Sequence, residues 1–173
     1  MTEQIGYKAR CICGQVALEA TGAPILSAAC YCESCRLAAR RFEQAPGAPS
    51  VLNGDGGVEY SLFRKDRVSV LHGADRLRAH RLTEASPTRR VVAMCCNAPM
   101  FLDFTRGHWL SLYRDRLPKD ARPVEIAVMT GDLPAGHALP TSLPTYPARP
   151  PKFMFKLLAS FAAMGFRRPK MSW

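Results

Sequence analysis

The sequence lacks any apolar run of eighteen residues, so it offers no segment of the length that a membrane-spanning helix needs. Its first residues, MTEQIGYKARCICGQ, are polar and lack the apolar stretch of a secretory signal. We therefore expect a cytoplasmic protein. Because thiols stay reduced in that compartment, clustered cysteines would indicate metal binding or redox chemistry before disulfides.

Several common catalytic motifs are also missing. The chain contains neither Gly-x-Ser-x-Gly nor His-Glu-x-x-His, which argues against a serine hydrolase and a zincin protease. The glycine-rich stretch at 54–57 is not followed by lysine and serine at P-loop spacing, so it predicts a turn and not a phosphate site. None of the four histidines lies at ligand spacing from a cysteine.

The composition is that of one globular domain with an appendage. The chain has 173 residues, of which 47% are hydrophobic and 22% charged. Its net charge of +10 is uneven, because residues 133–173 carry six basic groups and no carboxylate. A basic tail attracts anionic surfaces. Nucleic acid is an unlikely partner, since these basic residues lack interleaved aromatic side chains on a defined platform.

Residues 1–132 predict a mainly β domain built from short strands between turn signals. QVALEATG alternates apolar and polar residues, as a half-buried strand does, and ESCRLAARRF suits a short helix. DRVSVLHG and RLRAHRLTE predict two strands paired through a turn at 73–75. TRRVVAMCC and APMFLDF predict two further strands that flank a pair of adjacent cysteines.

The amino-acid composition changes after residue 132. Residues 133–151 hold six of the fourteen prolines and predict an extended linker. Residues 152–173 predict a basic amphipathic helix and tail, with Phe153, Leu157, Phe161 and Met164 on one row. The helix suits packing on the parent domain or on a second subunit of a homodimer. Contact with an anionic membrane surface is an alternative, because basic residues accompany the apolar row.

All seven cysteines fall into three clusters: Cys11 and Cys13; Cys30, Cys32 and Cys35; and Cys95 and Cys96. Thiolates gathered in this way suit zinc, which takes four ligands in structural sites and often three in catalytic ones. A redox pair formed by Cys32 and Cys35 is the alternative, but it has no surrounding βαβ pattern. The clusters therefore predict one or two zinc ions.

The cysteine pattern resembles that of the glutathione-dependent formaldehyde-activating (Gfa-like) enzyme family, which includes centromere protein V. The segments CICGQVALEATG, CYCESC, CCNAPMFLDF and VMTGDLP occur in the family's order, across about residues 8–135. The resemblance implies an Mss4-like folded β-sheet (a β-tent) with zinc sites. It also implies a carbon–sulfur lyase that acts on a glutathione or other small-thiol adduct of an aldehyde.

The resemblance also implies a role for each cluster. Cys11, Cys13 and Cys96 match the ligands of a structural zinc, and Cys30, Cys32 and Cys35 match the triplet that holds the catalytic zinc. The chain departs from the family at Ala93, where the first cysteine of a Cys-x-x-Cys pair is expected.

Cys95 is the only spare cysteine, and three arrangements are open. A tight turn at 94–96 would let Cys95 complete the structural site, which is the arrangement that we favour. An extended segment would direct Cys95 away from Cys96 and toward the triplet. A single zinc would leave the other cysteines free.

Other side chains are weaker candidates. Glu33 could orient a bound water, His80 could act as an acid–base group, and Arg89 and Arg90 could bind a substrate carboxylate. For each of them a solvated surface position is the commoner outcome. Two functions follow: a zinc-dependent lyase, or a non-catalytic zinc module whose basic helix recruits a partner or a membrane.

Overall fold

The computed structural model describes residues 6–173, and within them the protein is built mainly from β-strands. The ten strands are β1 (Gly6–Arg10), β2 (Ala17–Thr21), β3 (Leu26–Cys30), β4 (Val58–Arg64), β5 (Val68–His72), β6 (Leu77–His80), β7 (Thr88–Ala93), β8 (Ala98–Phe104), β9 (Trp109–Tyr113) and β10 (Ile126–Val128). The two α-helices are α1 (Glu33–Glu43) and α2 (Pro151–Ala163). The predicted fold class, mainly β with a C-terminal helix, is confirmed.

The strands form two sheets. The smaller has the order β1-β2-β5, and the larger has the order β10-β3-β4-β9-β8-β7-β6. Every pairing is antiparallel except that of β10 with β3. The predicted pairing of the strands on either side of 73–75 is wrong. β5 pairs with β2 and β6 pairs with β7, so the turn carries the chain from one sheet to the other.

A buried apolar core joins the two sheets. Leu18 of the smaller sheet lies in one cluster with Phe63, Val91, Phe101 and Leu110 of the larger sheet, and all five are at most 1% exposed. Because side chains alternate along a strand, the same strands send their other residues to the opposite face. The larger sheet is therefore covered on both faces.

The second face of the larger sheet packs against the helices. Its cluster contains Tyr60 and Tyr113 from the sheet, Cys35 from α1, and Phe153 and Leu157 from α2. The row of α2 predicted to be apolar is thus its buried row, and the helix lies on the parent domain. The division of the chain at residues 132 and 151 remains a prediction.

Three ion pairs fix further parts of the fold. The buried carboxylate of Asp103 on β8 pairs with Lys65 at 2.7 Å through one oxygen and with Arg89 through the other. On α2, Lys156 contacts Glu125 at 2.9 Å, which fastens the helix to the segment before β10. Within residues 6–173, no helix has both the length and the apolar character that crossing a membrane requires.

Candidate metal centres

The first cysteine pair lies in the turn of the β1–β2 hairpin. Gly14 adopts a positive φ of 76° and its N–H donates to the carbonyl of Cys11 at 3.1 Å, which folds the turn back on itself. The Cys11 thiol accepts the N–H of Val16 at 3.2 Å. These bonds direct the sulfurs of Cys11 and Cys13 to the same side, 3.6 Å apart.

The adjacent cysteines lie in the turn between β7 and β8. The N–H of Cys96 donates to the carbonyl of Ala93 at 3.3 Å, and Asn97 takes a positive φ of 54°. The segment is therefore turned and not extended. As a result, Cys95 lies near the first pair, with its sulfur 3.8 Å from that of Cys11 and 3.3 Å from that of Cys13.

The four sulfurs of this first cluster suit one tetrahedral zinc. Those of Cys11, Cys13, Cys95 and Cys96 all lie within 4.8 Å of one another. Thiolates about 2.3 Å from a tetrahedral zinc lie about 3.8 Å apart. Since the two hairpin turns belong to different sheets, an ion held here would link the two sheets.

The second cluster lies where β3 leads into α1. Cys30 ends the strand, Cys32 is the N-cap residue of the helix, and Cys35 lies in its first turn. The N–H of Cys35 donates to the carbonyl of Cys32 at 3.1 Å. The three sulfurs lie within 4.8 Å of one another, and among the described residues no fourth histidine, cysteine or carboxylate joins them.

Asp132, which lies about a hundred residues later in the chain, holds the loop before α1 in place. A carboxylate oxygen of Asp132 accepts the N–H of Glu33 at 3.3 Å, and its backbone carbonyl accepts from Arg36 at 3.4 Å. Glu33 itself is exposed. Asp132, from the TGDLP segment, thereby holds the triplet loop in place.

The triplet thiols differ in acidity. The hydrogen bond donated by Cys30 is the largest cause that lowers the pKa of Cys32, and a hydrogen bond from Cys35 is the second largest. The pKa of Cys30 is raised, and its hydrogen bond to Cys32 is the largest cause. Cys32 also lies at the N-terminus of α1, where the helix dipole favours negative charge. One thiolate within the triplet is therefore favoured even without a metal.

A small cavity of about 100 Å³ adjoins the triplet. Cys30, Cys35 and Tyr60 line it from the domain, and Arg149 and Phe153 line it from the C-terminal segment. The hydroxyl of Tyr60 is buried beside Cys35 and Tyr113, but it forms no hydrogen bond of good geometry among the described residues. Burial is the first cause that raises the pKa of Tyr60 well above its ordinary value, so this hydroxyl stays protonated.

Tyr60, Arg149 and Phe153 were not predicted as site residues. Tyr60 lies in an ordinary strand, Arg149 lies within the proline-rich stretch, and Phe153 follows that stretch. No local sequence signal distinguishes them. Tertiary packing alone brings them to the cavity.

The structure places the other candidate side chains in three different environments. Arg89 pairs with Asp103 and is not free for a ligand. Arg90 is not on a solvated strand end, because only 3% of it is exposed. His80 is exposed and lines a separate cleft beside α1.

These features define a mainly β protein with two sulfur clusters, one of four thiols and one of three, each able to hold a metal ion. Residues 6–48 match the model of the family described as "Glutathione-dependent formaldehyde-activating enzyme". The family resemblance is thereby confirmed over that segment, which includes the first pair and the triplet.

One solved structure is similar in part. It is the crystal structure of a Rhodobacter sphaeroides protein, with a TM-score of 0.47 and 15% sequence identity. The match covers 67% of this chain and 91% of that one. No curated protein sequence matches the chain.

Proposed function

We propose that this protein is a zinc-dependent carbon–sulfur lyase that forms or cleaves the adduct of a small thiol, such as glutathione, with an aldehyde. The contrast between the two sulfur clusters carries the proposal. The first offers four thiols and the second offers three beside a cavity. Structural zinc sites are closed by four ligands, whereas catalytic sites keep one position for substrate or water.

In this proposal Cys30, Cys32 and Cys35 hold the catalytic zinc, and Cys11, Cys13, Cys95 and Cys96 hold the structural one. Zinc at the triplet would polarise the substrate oxygen or stabilise a thiolate. In the direction of synthesis, the sulfur of the thiol bonds to the carbonyl carbon, and the carbonyl oxygen receives the proton. Cleavage is the reverse.

Tyr60 is the side chain that would assist the proposed reaction beside the zinc. Its protonated hydroxyl lines the cavity without a hydrogen bond of good geometry, so it is available to donate a hydrogen bond to the substrate oxygen as negative charge develops there. Phe153 adds an apolar side chain to the wall of the cavity. The free cysteines support a reducing compartment, so we include a cytoplasmic location in the proposal.

The test uses the zinc-loaded full-length protein with glutathione and formaldehyde. Adduct formation is followed by NMR exchange at equilibrium. Tyr60→Phe should keep the zinc content and lower kcat by about a hundredfold, as loss of one hydrogen-bond donor to a developing oxyanion does. Tyr7→Phe is the control, because Tyr7 packs against the other core cluster and does not line the cavity.

Two results would contradict the proposal. Absence of any thiol-dependent turnover across simple aldehydes would remove the lyase activity. Equal loss in both tyrosine variants would show that Tyr60 has no special role in the reaction.

A non-catalytic zinc module is the second candidate. The outer face of α2 favours it, because Met154, Phe155 and Leu158 are 51%, 71% and 58% exposed. Such a face suits a second copy of the chain, another protein or a membrane surface. Phe155→Ser with Leu158→Ser should then abolish self-association in sedimentation or binding to anionic vesicles, while zinc content stays unchanged.

A further inference from the structure

A second and larger cleft lies between the two sulfur clusters, lined by Met94 and Asn97 on either side of the adjacent cysteines and by Arg90, which contacts Ser34 of the triplet loop. It has a volume of about 320 Å³, at the lower end of the range for small-molecule sites. One wall is the second half of α1, with Arg41 and Phe42, and the other is formed by β6, β7 and the segments that follow them. No cysteine lines it.

The ionisable side chains that line this cleft are all basic. Arg41, Arg81, Arg90 and His80 line it, and none of the described residues in its wall carries a carboxylate. No ion pair involves any of the three arginines within residues 6–173. An enclosed surface of this kind concentrates anions.

Arg90 is the decisive residue. It is 3% exposed, and its Nη2 donates to the carbonyl of Ser34 at 3.3 Å. Its Nε and Nη1 are buried and have no hydrogen-bond partner among the described residues. A buried guanidinium that no carboxylate pairs with is costly, so an anion bound beside it would offset part of that cost.

The neighbouring arginine shows the contrast. Arg89 and Arg90 are adjacent on β7, so their side chains point to opposite faces of the sheet. Arg89 meets Asp103, which also accepts Lys65. The protein thus supplies a carboxylate to the cations on one face and none to Arg90 on the other.

The rest of the wall limits the ligand. Phe42, Leu82, Val92 and Met94 give the cleft an apolar surface beside the guanidinium. That surface would bind an alkyl or aryl stem and would offer nothing to a fully hydrated inorganic ion. Arg90 can give a carboxylate charge-assisted hydrogen bonds.

We propose that the cleft between α1 and the β6–β7 hairpin binds a small organic acid, with its carboxylate on Arg90 and its apolar stem against Phe42 and Leu82. No cysteine lines this site, and the proposed binding uses no metal at the triplet.

The test measures binding of butyrate to the full-length protein by calorimetry and by NMR shifts of the cleft residues. Inorganic phosphate supplies the charge without the stem, and n-butanol supplies the stem without the charge. We expect butyrate to bind more tightly than either. Arg90→Met, which keeps the volume and removes the charge, should weaken butyrate binding at least about tenfold.

Arg106→Met is the matched control, because Arg106 is exposed and lies outside the cleft. It should bind butyrate as the wild type does. Ala45→Phe is a second variant that adds bulk to the cleft wall and leaves Arg90 unsubstituted, and it should also lose binding. The proposal is overturned if butyrate does not bind, if Arg90→Met binds it unchanged, or if phosphate binds as tightly as butyrate.

Discussion

Replacing Phe153 by alanine tests whether α2 is part of the wall around the triplet. Phe153 is 6% exposed, lies in the cluster that contains Cys35 and Tyr60, and lines the small cavity. Truncating a core phenylalanine costs about 3–5 kcal/mol. Because one side of the ring already borders a cavity, we expect the lower end, about 3 kcal/mol.

This loss is measurable by thermal unfolding. A change of 1 kcal/mol shifts Tm by about 2–4 °C in a chain of this size, so Phe153→Ala should lower Tm by roughly 6–12 °C. Zinc content, measured in parallel, should not change, because Phe153 is not a ligand. Circular dichroism of the zinc-loaded protein is a sufficient assay.

Phe155→Ala is the matched control on the same helix. Phe155 is 71% exposed, so its loss should change stability by no more than about 0.5 kcal/mol. Equal destabilisation by the two substitutions would refute the placement of α2. An unchanged Tm for Phe153→Ala would do so as well.

Three further outcomes are expected. Under the proposed arrangement of two zinc ions, Cys95→Ser should weaken zinc binding at the four-thiol cluster and leave the triplet unaffected, as measured by competition with a chelator; an unchanged affinity at both clusters would exclude Cys95 as a needed ligand. Asp103→Asn should cost about 3–5 kcal/mol in urea unfolding, because it leaves a buried lysine without its partner; Asp66→Asn, at a partly exposed pair, should cost no more than about 1 kcal/mol. Burial raises the pKa of Glu125, but the hydrogen bond and charge of Lys156, together with the charge of Arg122, lower it by more, so the folded-state pKa lies below its ordinary value. The stability that ionised Glu125 contributes is therefore present above its unfolded-state pKa, and it is lost as the pH falls through its folded-state pKa. Glu125→Gln should show less acid destabilisation between about pH 5 and 3 than the wild type.

The clustering of the cysteines is readable in the sequence because metal ligands come in short local spacings. Cys-x-Cys-Gly and Cys-x-Cys-x-x-Cys are each contained in one turn, so their sulfurs converge through local backbone geometry alone. Strand alternation and the apolar row of α2 are readable for the same reason, since both depend on residues a few positions apart.

The partner of Cys95 was not decidable in this way. The sulfur lies 84 positions from that of Cys11, and a turn or an extended segment at 94–96 would send it to different clusters. The pairing of β5 and β6 was predicted wrongly for a related reason. A short turn suggests a hairpin, but β5 forms its backbone hydrogen bonds with β2 and β6 forms its own with β7, so the two strands enter different sheets.

The sequence by itself determined the sulfur clusters, the mainly β class and the buried row of the last helix, because each rests on local periodicity or spacing. Only the tertiary structure decided that Cys95 completes a group of four, that Tyr60 and Phe153 border the triplet, and that Arg90 is buried without a counter-charge. These facts depend on contacts between segments far apart in the chain, where packing and desolvation set the outcome and local pattern carries no information.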